Sequence, residues 1–235
     1  MSGRKNTGRG SAADAPRRNG VPRSATRLRA CVVIASLRGF DQLSAHLEPR
    51  RVVALLQEFV GAMADVAVAH RAVIDAVLGD GVLLLYGVPS PRRDDPVRAV
   101  RAAAALQRAS LALRNRWLSA GETRAAALGL AVGVAAGEVL VVDLRAGGGR
   151  NNTPVGEPVR RAERLCAMAR DGETLVDEAT YASAGARLDG ELTFTPRPLA
   201  TRGREPRSAY RAQARRAGLL IVPRRAAAAA TPLAG

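Results

Sequence analysis

The chain has 235 residues, 47% of them hydrophobic but only 3% aromatic, which suits one domain with tails and a core of Val, Leu and Ala. Its net charge of +15 sits at the ends: residues 1–29 carry eight basic groups and one acid, residues 211–235 carry five arginines and no acid, and +3 remains for 30–210. The only cysteines, Cys31 and Cys166, lie in apolar runs as core thiols, which excludes a disulfide framework and a zinc site of cysteine spacing.

Residues 1–28 are rich in Arg, Gly, Ser and Ala without an apolar period and are expected to be a disordered tail. Ala30 to Ala35 is a continuous apolar run of strand length, the mark of a strand covered on both faces. Pro49 opens a helix to about His70, with Val52, Leu55, Leu56, Phe59, Met63 and Val66 as its buried stripe. The apolar runs 73–78 and 82–86 flank Gly79-Asp80-Gly81 and predict a β-hairpin. Asp95-Pro96 caps and starts an alanine-rich helix to about Trp117.

Leu128–Val134 reads as a strand and Gly137–Asp143 as its partner. Strand, helix, strand, strand, helix, strand is the split βαβ, ferredoxin-like order, with helices packed on one face of the sheet. Arg145–Asn152 reads as a Gly-rich loop, and no Gly-Lys-Ser/Thr follows to make it a P-loop. A helix over Pro158–Arg170 precedes short strands near 174–176, 192–195 and 208–211, which bracket a small helix at 177–184. The predicted class is α+β, a ferredoxin-like βαββαβ core with extra C-terminal strands and helices and basic tails at 1–28 and 213–235.

Residues 1–29 lack an apolar h-region, and no stretch approaches about 20 apolar residues. A cytoplasmic protein without a membrane span is the expectation. The tails are expected to be solvated extensions, with nucleic-acid binding as the functional alternative.

Several local features occur together in order: Gly39-Phe40 after the first strand, Leu78-Gly79-Asp80-Gly81 between two strands, Gly137-Glu138-Val139, Val155-Gly156-Glu157 before a helix bearing Arg164, and Arg202-Gly203-Arg204-Glu205-Pro206 before Tyr210. With them the chain resembles the class III adenylate/guanylate cyclase catalytic domain over about 29–212. The resemblance implies conversion of ATP or GTP to a cyclic nucleotide and pyrophosphate, with two divalent ions, Mg or Mn, held by two aspartates. It also implies sites shared across a head-to-tail dimer, a homodimer or a heterodimer with another cyclase domain.

Carried onto this chain, the resemblance makes Asp80 a metal ligand and Arg164 the transition-state arginine. Leu37, Arg38, Gly39 and Phe40 form the phosphate turn, Thr153 reads the base, and Arg202 meets the triphosphate. Three positions depart from the pattern: Ser36 replaces the other metal aspartate, Ala76 the base-reading lysine, and Arg160 the ribose-orienting asparagine. The expectation is an impaired cyclase domain that binds nucleotide or dimerises, with at most one ion at Asp80. The alternative is a weak Mn-dependent adenylate cyclase using Asp80, Thr153 and Arg164. Arg160 and Arg164 share a helix face, where an anion between them would relieve their repulsion. His46 and His70 are isolated, and Asp75 and Asp143 read as strand-end polar residues.

Overall fold

In the computed structural model, residues 25–146, 149–198 and 208–215 are described, with only the backbone placed for 143–146 and 149–153. β1 (Ala25–Arg38) runs through the middle of the sheet. Cys31, Val33, Ala35 and Leu37 enter one core cluster, and Ala30, Val32 and Ile34 enter a second on the opposite face. Strand alternation splits a continuous apolar run in just this way.

A short helix α1 (Phe40–Ser44) follows the turn at Gly39, and α2 (Pro49–Ala69) begins after it. Leu55, Phe59, Met63 and Ala67 are buried, while Val52, Leu56 and Val66 pack partly buried beside them. β2 (Val73–Val77) and β3 (Gly81–Tyr86) form the expected hairpin, and α3 (Asp95–Ser119) crosses back over the sheet. β4 (Gly129–Ala146) completes the order β2-β3-β1-β4, every neighbouring pair antiparallel. That is the predicted ferredoxin-like core. Beyond it come β5 (Gly149–Val155), α4 (Glu157–Met168), β6 (Thr174–Asp177), α5 (Glu178–Leu188), β7 (Leu192–Pro198) and β8 (Ser208–Ala214).

The structure corrects five expectations. First, β1 starts at Ala25, because residues 25–28 pair with Val139–Val142, so the tail boundary at 28 falls inside a strand. Second, the spans 128–134 and 137–143 are not partners: apart from Leu128, just before it, both lie in one continuous strand, β4. Gly137 starts no strand there: it pairs with Ala30, and an added Cβ would stand 2.9 Å from Pro158 Cγ at the start of α4. Third, Arg145–Asn152 is not a plain loop, since its described residues belong to the β4–β5 hairpin, with Asn152 opposite Asp143.

Fourth, helices cover both faces. α2 and α3 supply one cluster, and Ala162, Leu165 and Cys166 of α4 supply the other. Gly133 permits this contact, because a Cβ there would stand 2.1 Å from the Ala162 carbonyl oxygen. Fifth, α2 is long and apolar enough by composition to cross a bilayer, despite the expectation of no such stretch. Here it lies on the sheet, with one stripe in the core.

Candidate active site

Ser36 and the turn at 37–40 lie where β1 ends against the β2–β3 hairpin. Ser36 pairs with Gly81 on β3 and with Ala131 on β4. The Leu37 amide donates to the Asp80 carbonyl oxygen at 2.8 Å, which fixes the hairpin tip beside the turn. Gly39 has φ +81°, a conformation that costs glycine little, and a Cβ there would approach the Ala127 carbonyl oxygen at 3.2 Å. Phe40 and Leu37 are buried and anchor the two sides of the turn in the α2–α3 cluster.

Arg38 follows Ser36 by two residues and so shares its sheet face. Its guanidinium donates to the Cys166 carbonyl oxygen in α4 at 2.8 Å. Burial raises Asp80 above its ordinary value, its own amide opposes this, the Asp41 charge adds to it, and Arg38 opposes it again. Burial likewise raises the Cys166 thiol, with the Arg38 charge working the other way.

The donor set does not fit a pair of divalent ions. Ser36 offers a neutral hydroxyl beside Asp80, and Asp41 is exposed. Two close divalent ions need bridging anionic oxygen.

Ala76 lies opposite Leu83. The register shifts between Ile74 and Ala76, so Asp75 sits at an irregularity and strict alternation fails there. Ala76 packs partly buried against the cluster under α4. Asp75 is raised by burial. Thr153 lies on β5 opposite Val142. Arg202 lies outside the described residues.

Arg160 and Arg164 share α4, but the anion between them is already supplied by the chain. Glu157 pairs with Arg160 at 3.1 Å and with Arg161 and Arg164 at 3.5 Å each. Burial would raise Glu157, yet the Arg160 hydrogen bond and the charges of Arg161, Arg160 and Arg164 hold it below the usual carboxylate range. The spacings of three, four and seven residues from Glu157 are the sequence signal for this arrangement. Within one protomer, no hydrogen bond or ion pair among the described residues joins Arg160 or Arg164 to Asp80.

Arg161, absent from the sequence-derived site, orients the helix. It donates to Asp177 at 2.7 Å, and Asp177 also accepts from the Thr180 amide at 2.8 Å and the Ala136 amide at 3.3 Å. Asp177 is only 3% exposed and caps α5. One carboxylate thus ties α4, α5 and β4 together.

No protein-family model matches the chain. Two uncharacterized proteins of Mycobacterium tuberculosis, Rv1319c and Rv1320c, are each 32% identical over 141 and 139 residues, or 60% and 59% of this chain. Those stretches are 24% and 23% of the relatives, so the chain spans about a quarter of their length. The adenylyl cyclase CyaB from P. aeruginosa superposes with a TM-score of 0.74 at 27% identity, covering 82% of this chain and 97% of that one. The guanylyl cyclase Cya2 gives 0.73 at 27% identity, covering 80% and 93%. The fold is that of an adenylyl/guanylyl cyclase domain.

Proposed function

We propose that this is a class III cyclase homology domain with crippled ring-closing chemistry, acting as a nucleotide-binding or dimerising module in cyclic-nucleotide signalling. One observation carries the reading: Ser36 occupies the end of β1 where a second carboxylate would face the cation site, while Asp80 is retained beside it. A lone carboxylate holds one Mg or Mn at most. The loss of one preorganised group costs about 10²–10³ in rate. Three altered positions act as a unit and do not multiply cleanly, so a deficit of at least about a thousandfold is expected.

The phosphate turn survives because its backbone donors do not depend on side-chain identity. That supports nucleotide binding, in keeping with the likeness to the adenylyl cyclase CyaB and the guanylyl cyclase Cya2. Dimerisation is supported by β2, an edge strand with Val73, Ile74 and Val77 exposed, next to exposed Leu78. Exposed apolar edges are pairing surfaces. In a head-to-tail pair, Asp80 of one protomer would meet Arg164 of the other.

The testing experiment restores the three positions together: Ser36→Asp, Ala76→Lys and Arg160→Asn. With Mn-ATP, the triple variant is expected to make cyclic AMP that the parent does not. Failure of the triple variant, with its fold and dimer intact, would count against the assignment of these positions.

A further inference from the structure

Away from the hairpin tip, α3, the start of β4 and the end of β8 border a half-open pocket of about 400 Å³. That lies within the size range of small-molecule sites, about 300–1,000 Å³. Its apolar walls include Ala104 and the exposed Leu111 above a nearly buried floor of Leu128, Leu130 and Leu192, with Gln107 and Thr174 as polar lining. Ser110, only 5% exposed, brings a hydroxyl to it.

The charge around this cavity is unbalanced. The lining carries Arg108, Arg114 and Arg211 against one carboxylate, Asp171. Arg211 reaches toward Glu173 at 3.9 Å. Arg108 and Arg114 form no ion pair among the described residues. One terminal nitrogen of Arg114 donates to the Leu128 carbonyl oxygen at 3.2 Å, while its Nε is buried without a partner. A buried guanidinium nitrogen without an acceptor carries a desolvation penalty that an anionic oxygen would relieve.

We infer that this cavity is a binding site for a small amphipathic carboxylate, its hydrocarbon body against the leucines and its head between Arg108 and Arg114. A multiply charged anion would leave the apolar walls unused, and a neutral apolar molecule would leave the arginines unanswered.

The position gives occupancy a consequence. Leu130 and Gly129 of the cavity wall pair in register with Leu37 and Arg38 of β1. The adjoining Leu128 side chain lies within van der Waals reach of a Cβ built at Gly39. A ligand pressing on this wall acts on the phosphate turn through the β1–β4 ladder.

The test uses octanoate as probe on the full ¹⁵N-labelled chain. Saturable shifts are expected for the Leu111, Leu128 and Leu130 amides, with smaller ones at Leu37 and Gly39. Arg114→Gln is expected to weaken octanoate roughly tenfold, the order of one charge-assisted hydrogen bond. Arg108→Gln, at an exposed position, is expected to do likewise without disturbing the fold. Octylamine is expected not to saturate the site. The inference fails if octanoate gives no saturable shift, if octylamine binds as well, or if neither variant weakens binding. Saturation that leaves Leu37 and Gly39 unmoved would refute the coupling to the turn. Every readout is binding, so these outcomes are independent of whether the domain cyclises nucleotides.

Discussion

The Leu37 amide donates to the Asp80 carbonyl oxygen at 2.8 Å, and this bond holds Asp80 next to the turn that follows Ser36. Ser36 pairs directly with Gly81, the neighbour of Asp80. A carboxylate placed at 36 would therefore stand close to Asp80. Ser36→Asp alone is expected to raise Asp80 further, because like charges disfavour joint ionisation. Carboxyl-carbon NMR titration of both forms measures it, and Mn²⁺ affinity is expected to rise in the variant.

Asp80 also sets a pH dependence. Its folded value lies above the ordinary one, chiefly through burial. Such a group favours the fold while protonated, below its unfolded pKa near about 4, and that contribution is lost as pH rises through the folded value. Asp80→Asn is therefore expected to raise Tm at neutral pH, and the gain should vanish in acid. Thermal melts of both proteins from pH 7 down to about 3 check this.

Glu157 behaves in the opposite sense. Its folded value is depressed by the arginines of α4. Its contribution is present above the unfolded pKa and is lost as pH falls through the folded value. Glu157→Gln is expected to lower Tm slightly at neutral pH, with the difference disappearing in acid. The effect should be small, since exposed ion pairs are screened by solvent.

The Asp177 clamp is worth much more. Asp177→Ala removes the α5 cap and leaves Arg161 without its buried partner. Losing the cap costs about 0.5–2 kcal/mol, and the lost ion pair adds to it, less than a fully buried pair would because Arg161 is partly exposed and keeps Glu157. Asp177→Asn is expected to cost less because it can still cap the helix. Urea denaturation of the two variants distinguishes them.

At Gly133 the space is already full. A Cβ would stand 2.1 Å from the Ala162 carbonyl oxygen and 2.4 Å from the Cys166 amide nitrogen. Gly133→Ala is expected to lift α4 from the sheet, at about 1–3 kcal/mol or more. Because Cys166 lies on the buried face of α4, faster thiol labelling is the direct readout.

Much of this fold is legible in the residues. The Leu55, Phe59 and Met63 period announces α2, and the Gly79-Asp80-Gly81 tip announces the hairpin. Ser36, Ala76 and Arg160 can be named as departures from a pattern without coordinates. The relations that escape a linear reading depend on a third dimension. Gly137 reads as the start of a second strand until it is seen in the middle of β4 with Pro158 lying over it. Arg160 and Arg164 look like an open anion site until Glu157 is placed one turn back. Asp177 reads as the first residue of a small helix, and only the fold brings Arg161, Thr180 and Ala136 to it. Asp75 interrupts its strand through a register shift that no local periodicity marks.

The central claim is that one carboxylate beside a serine cannot gather the charge that ring closure on a triphosphate requires. Purified chain incubated with Mn-ATP and assayed for cyclic AMP tests it most directly. The expected result is no product above the background of an Asp80→Ala control. Cyclic AMP made by the parent chain and abolished by Asp80→Ala would contradict the claim.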